Sequence, residues 1–261
     1  MRNRTLAHLS LIACLVAGLS GSALADEAAQ SKPDEPTDQA PAPIEHVPGT
    51  TRGVVDICHF KKPDDATQLV GKDRHIMVPE PGPKTNWSFD NGVLTASSKR
   101  GGDSMLTPKP HRDMLMYVEF NVNDRDDTSV ENTGNSGVYI QQRYELQIQN
   151  AYGIPEKDFK RTYGGSLYRM KKPDALVSKP AGEWQNYIIV FRAPRWDGDK
   201  KTENARITVY HNGVLIHDDY EMKRKTGAGK KESPDDRPTR LQGHNNPVRF
   251  RNVWIKDLEL D

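Results

Sequence analysis

Between Val138 and Gln149 apolar and polar side chains alternate almost without interruption. Val138, Ile140, Tyr144, Leu146 and Ile148 fall on one side, and Tyr139, Gln141, Arg143, Glu145, Gln147 and Gln149 on the other. A period of two marks a strand or strand pair with one face in a core. The same signal recurs in short runs separated by turn residues. Val93–Ala96 follows the tight-turn sequence Asp90-Asn91-Gly92, Leu115–Phe120 precedes a polar loop over 121–135, and Trp184–Arg192 is strongly β-prone. Arg206–Tyr210 and Val214–Ile216 flank Asn212-Gly213, whose residue types suit the positive φ angles of a hairpin turn. Near the end Val248 and Phe250 share one parity while Val253 and Ile255 share the other, so a β-bulge is predicted at Arg251-Asn252. No apolar stripe of helical period follows the first residues. Many strands without crossover helices predict an all-β, antiparallel sandwich.

Composition divides the chain into three parts. Arg2 and Arg4, the apolar run Leu6–Leu19 and the small-x-small sequence Ala23-Leu24-Ala25 read as a cleaved export signal over 1–25, which implies a periplasmic or secreted protein. Leu11-Ile12-Ala13-Cys14 resembles a lipobox, but the apolar run continues past Cys14, which favours cleavage near Ala25 over a lipid anchor. The run is too short for a stable membrane span. Residues 26–50 are rich in Pro and Ala, with six acids against Lys32 up to Pro48, and read as a disordered linker. Residues 51–261 then form one domain, long enough for a sizeable core. Cys58 is the one thiol left after cleavage, so no internal disulfide holds that core. The cluster Lys223, Arg224, Lys225, Lys230, Lys231 lies among Gly, Ser and Pro and reads as a solvated loop rather than a nucleic-acid site. Nothing in the sequence sets the oligomeric state.

The polar face of the 138–149 segment holds the most informative chemistry. Sandwich glucanases of the laminarinase type place carboxylates at alternating positions of one strand, and retaining glycosidases need two about 5 Å apart. Here that spacing reads Glu145, Gln147, Gln149. Amides neither attack nor protonate a leaving group, so conventional double displacement is disfavoured. A lone Glu145 beside Arg143 suits proton abstraction from carbon, with a cation or metal at the resulting enolate; an exposed ion pair without function has the same pattern. His244, in the turn-forming run Gln242–Pro247, adds a candidate acid, base or ligand. His59, His75, His111, His211 and His217 show no paired metal-ligand spacing, and neither G-x-S-x-G nor a phosphate-binding glycine loop occurs. Trp87, Trp184, Trp196 and Trp254 fall in or beside strands, as core tryptophans do.

Several of these segments, taken in order, resemble a known family. Asn135-Ser136-Gly137-Val138-Tyr139-Ile140 followed by Arg143-Tyr144-Glu145-Leu146-Gln147-Ile148-Gln149-Asn150-Ala151-Tyr152-Gly153 is similar to the signature of the 3-keto-disaccharide hydrolase domain. The ending Leu241-Gln242-Gly243-His244-Asn245-Asn246-Pro247 through Ile255 resembles that family's closing motif, Pro180–Tyr187 and Asn212-Gly213-Val214 match its intervening elements, and Trp87–Leu94 fits its early element. The resemblance implies a concanavalin A-like lectin/glucanase jelly roll and chemistry on 3-keto-glycosides. In that chemistry a ketone at C3 acidifies the C2 hydrogen, a base removes it, the C1 substituent leaves, and water adds back.

On this reading Glu145 and His244 are the catalytic candidates, and Arg143, Asn135, Gln147 and Tyr168 the substrate contacts. The partner is a small-molecule or oligosaccharide substrate. The sequence establishes no cofactor; Arg143, Asn135 or a divalent cation is the candidate partner of the enolate oxygen. A non-catalytic sugar-binding module on the same face, or an adhesion scaffold, is the competing reading. The sequence departs from the family at its opening, where Asp56–Phe60 replaces the usual motif, in the loosened Thr162–Tyr168 element, and at Gly243, where the family carries Asp before the His.

Overall fold

The computed structural model describes residues 47–80, 82, 85–97, 103–123 and 133–261. The export signal and almost all of the predicted linker lie outside them, as does most of the 121–135 loop. In chain order the strands are β1 (Thr67–Val70), β2 (Val78–Glu80), β3 (Ser88–Asp90), β4 (Val93–Thr95), β5 (Ser104–Leu106), β6 (Asp113–Asn121), β7 (Ser136–Ile140), β8 (Tyr144–Ile148), β9 (Trp184–Arg192), β10 (Arg195–Asp197), β11 (Lys200–Glu203), β12 (Ala205–His211), β13 (Val214–Met222), β14 (Arg240–Leu241) and β15 (Arg249–Leu258). Helical structure among the described residues is confined to short 3-10 turns such as Ile57–His59 and Glu156–Asp158.

Two antiparallel sheets form a sandwich. The larger runs β13-β12-β9-β6-β15-β4-β3 with β1 paired to β15, and the smaller runs β2-β5-β14-β7-β8. Alternate residues of both sheets meet in one core: Val138, Ile140, Tyr144, Leu146 and Ile148 pack with Met116, Val118, Phe120, Tyr187, Ile189 and Phe191. The ring centroids of Tyr144 and Phe191 lie 5.4 Å apart, and the Tyr187 hydroxyl donates to the Gln147 carbonyl at 2.8 Å, which ties one sheet to the other.

The turn chemistry read from the sequence is present. Asn91-Gly92 (φ 47° and 79°) joins β3 to β4, and Asn212-Gly213 (φ 51° and 82°) joins β12 to β13. The bulge at Arg251-Asn252 shows as a register shift between β15 and β6, with Asn252 at φ 44°. Trp87 and Trp254 are buried, whereas Trp184 and Trp196 are half-buried. Trp184 lies under the Arg251 guanidinium, 4.0 Å from carbon to ring centroid. His211 and His217 are structural: burial pushes their pKa values down to about 3 and about 4. Neutral His217 donates through Nε2 to the Gly165 carbonyl at 2.8 Å.

Candidate active site

The 138–149 segment is a tight hairpin. β7 and β8 pair in the register Ile140↔Tyr144, Val138↔Leu146, Ser136↔Ile148, and Gln141 and Gln142 take φ of 50° and 55° in the turn. Both strands therefore turn their even-numbered residues to the core. Their odd-numbered residues, Tyr139 opposite Glu145 and Gly137 opposite Gln147, share the outer face. That face is nevertheless buried: Tyr139, Glu145, Gln147 and Gln149 are all at most 4% exposed.

Two loops cover it. β8 is the edge of its sheet, and residues 165–168 bond along that edge: Gln147 donates to Ser166 O (3.0 Å), Gly165 to Gln147 O (2.9 Å) and Tyr168 to Glu145 O (3.1 Å). Leu146 and Leu167 bridge toward the core, so Tyr168 lies on the outer face beside Glu145. The basic loop closes the other end. Thr226 N donates to Arg143 O at 3.0 Å, Glu145 N donates to Thr226 Oγ1 at 2.7 Å, and Lys230 N donates to Gln142 O at 2.9 Å. Most of its charged side chains are exposed, as the sequence predicts, yet its backbone is fastened to the hairpin.

Glu145 sits where these pieces meet. A Cβ placed on Gly137 would lie 2.9 Å from Oε1, and one on Gly227 would lie 2.6 Å from the Tyr168 ring, so Gly137 leaves room for the carboxyl group and Gly227 for the ring beside it. Burial pushes its pKa up to about 7, against the opposing pull of the Tyr139 hydroxyl and the positive charges of Arg240 and Arg169. Tyr139 is itself raised by burial and by the Glu145 charge, and remains a protonated donor. Arg240 lies over the Tyr139 ring at 4.0 Å and 3.7 Å from Glu80 Oε2. A buried carboxyl with a pKa near neutrality can accept a proton from carbon and return it.

The sequence-predicted residues separate into three groups. Asn135, Gln147 and Tyr168 come together with Gln149, Thr162 and Arg169 around one pocket of about 180 Å³. Glu145 is not in that lining but is two positions from Gln147 on the same strand face, with its carbonyl bonded by Tyr168 N. His244 is exposed on the loop after β14; it does not line that pocket, and the neighbouring Asn246 side chain donates to its carbonyl at 2.8 Å.

Arg143 belongs elsewhere. It occupies the hairpin turn at 1% exposure, and its guanidinium donates to Lys231 O, Gln141 Oε1, Asp235 O, Ser233 Oγ and Asp235 Oδ1 at 2.5–3.1 Å. The expectation that it pairs with Glu145 or touches substrate is replaced by a structural role, because the turn interrupts the alternation on which that pairing relied. The cations acting on Glu145 are Arg240 and Arg169, which the sequence reading missed. Their separation from Glu145 along the chain carries no local signal.

Among the described residues no group of three or more His, Cys, Asp and Glu converges on a metal-sized site. The polar groups around Glu145 are amides, phenols and guanidinium groups.

Gly243 also has a physical explanation. A Cβ there would fall 2.1 Å from the Asp103 carbonyl oxygen, which accepts the Trp87 indole N–H at 2.7 Å. Gly243→Asp is therefore expected to lower stability by about 1–3 kcal/mol through overpacking, rather than to improve activity. Denaturant titration together with turnover checks this; a stable, faster variant would overturn it.

The match to the model of the 3-keto-alpha-glucoside-1,2-lyase-like domain spans residues 73–256. A protein from Parabacteroides distasonis proposed to be a glycosyl hydrolase is 28% identical, with a TM-score of 0.67 over 75% of this chain and 85% of that one. A second such structure from the same organism is 21% identical, with a TM-score of 0.49 over 74% of this chain and 99% of that one. No curated protein matches. The chain belongs to the 3-keto-alpha-glucoside-1,2-lyase-like family and so stands among carbohydrate-active proteins.

Proposed function

We propose that this family member cleaves 3-keto-glycosides, with Glu145 as the base that removes the C2 proton. The observation that carries the reading is a single buried carboxyl group held near neutral pKa, on the strand face whose next residue, Gln147, lines a polar pocket. The Glu145 carboxylate takes the C2 hydrogen as a proton, and the electron pair of that bond passes into the C3 carbonyl as an enolate. When the carbonyl re-forms, the pair makes the C1–C2 double bond and the C1–O bond breaks. The departing oxygen takes up a proton, for which the Glu145 carboxylic acid is the nearby source. Water then adds at C1 and a proton at C2, giving net hydrolysis. One carboxyl group serves both directions of proton movement, which agrees with amides standing at positions 147 and 149. A glycosidase of the two-carboxylate type has no such economy.

The test is incubation with a 3-keto-glucoside in D₂O, following aglycone release and deuterium entry at C2. Release with exchange supports the reading; binding without either would make the protein a sugar-binding module. The pH dependence adds a second check. Because the base must be ionised, kcat is expected to rise with a slope of about one in log units as pH approaches 7, and to level above it. A flat profile from pH 5 to 8 would sink Glu145 as the base.

A further inference from the structure

We propose that the outer face of the β7–β8 sheet orients its ligand by hydrogen-bond polarity: Gln147, Gln149 and Gln242 accept from hydroxyl groups of a polyhydroxylated ring, while Arg169 and Tyr168 receive its carbonyl. The assignment of the carbonyl rests on the keto-sugar reading above; the hydroxyl-accepting row does not.

The Oε1 atoms of Gln147, Gln149 and Gln242 are buried and have no hydrogen-bond partner among the described residues, as is also true of Glu145 Oε2. A buried acceptor left without a donor costs about 1–3 kcal/mol, so several on one face call for an explanation. They do share a face. Alternation on β8 sets 145, 147 and 149 on the outer side, about 7 Å apart from one to the next. Across the sheet, Arg240 pairs with Tyr139 and Leu241 with Val138, and Gln242 N donates to Gly137 O at 2.9 Å. Leu241 points into the core, so Gln242 points outward, flanking bare Gly137 opposite Gln147.

The Gln147 amide is oriented by its own donor, Nε2, which bonds Thr162 O at 3.2 Å and leaves Oε1 as the unpaired atom. Acceptors separated in this way require several donors at fixed spacing, which adjacent hydroxyl groups of a sugar supply. A carbonyl oxygen, which only accepts, gains nothing against these amide oxygens and is directed away from them.

The same pocket also carries donors. Arg169 is exposed, lines the pocket with Gln147 and Gln149, and lies 5.3 Å from the Tyr168 ring centroid. It holds φ at 59°, fixed by its N–H donating to Arg161 O at 2.7 Å. For a long side chain that conformation is strained, and strain of this kind gathers at ligand sites. Arg240 is already engaged by Tyr139 and Glu80, so Arg169 is the cation offered to the ligand.

The experiment uses the full chain with Gln149→Met and Arg169→Ala. Gln149→Met removes the acceptor and keeps the length, and is expected to fold normally because the lost oxygen has no partner. KM for a 3-keto-glucoside should rise about tenfold or more, and the penalty for removing one ring hydroxyl from the substrate should disappear. Arg169→Ala should lower kcat about a hundredfold, with partial recovery in Arg169→Lys.

Calorimetric titration with methyl glucoside and its deoxy analogues separates the two readings. Gln149-dependent hydroxyl discrimination without turnover upholds the acceptor row and removes the enzyme reading. Turnover whose hydroxyl discrimination is unchanged in Gln149→Met overturns the row alone. Neither turnover nor binding overturns both.

Discussion

Glu145→Gln is expected to lower kcat about a thousandfold, the scale of losing a general base, while making the protein more stable at pH 8. The second half follows from linkage. The Glu145 carboxyl titrates near 7 in the folded protein against an ordinary value of 4.5, so between those pH values the native state holds a proton that the unfolded chain has released. Stability from this group is therefore fully present below pH 4.5 and is lost as pH rises toward 7. Above 7 the loss is complete, at about 3 kcal/mol for a displacement of this size. A glutamine, never ionised, removes that penalty up to whatever it loses at the Tyr139 hydroxyl. Thermal unfolding of both proteins at pH 5 and pH 8 tests it: the stability gap should favour Glu145→Gln more strongly at pH 8. Full turnover in the variant would end the assignment of the base, and a gap independent of pH would end the account of burial.

The second large effect separates Arg143 from the chemistry. Arg143→Met fills similar space but leaves three carbonyl acceptors, Ser233 and Asp235 without their donor. The expected loss is about 3 kcal/mol, because bonds to charged donors contribute more than neutral ones and the Arg143 side chain is only 1% exposed. For a domain of this size that is roughly 6–12 °C in Tm. Measured well below the lowered Tm, kcat should stay within a few fold of the parent. A variant with unchanged Tm and a kcat reduced a hundredfold would return Arg143 to the substrate, where the alternation of the sequence had placed it.

That residue shows where one-dimensional pattern stops being informative. Period two survives from Val138 to Ile148 even though the chain reverses direction inside it, because a turn that pairs Ile140 with Tyr144 leaves even residues on one face and odd residues on the other. The core side could therefore be read without knowing the turn was there. The position of Arg143 could not, since turn residues 141–143 belong to neither strand face. Glu145 and Gln147 were legible from motif and alternation together, Asn135 and Tyr168 from the motif alone, and Asn135, Gln147 and Tyr168 line one pocket. His244 was legible as a motif position only; its loop leaves it exposed and outside that pocket.

The sequence by itself determined the architecture and the chemical type of the site: strand periods, Asn-Gly turns, the bulge at Asn252, and one carboxylate with amides where a glucanase has acids. Those properties are written in neighbouring residues, through backbone sterics and side-chain functional groups. Tertiary structure alone decided the electrostatics. Loops from 161–171 and 226–231, distant along the chain, cover an alternating face that would otherwise be solvated, and this burial raises the Glu145 pKa. The same folding brings Arg169 from one segment and Arg240 and Gln242 from another to that face. Desolvation and charge act through space, so no spacing along the chain records them.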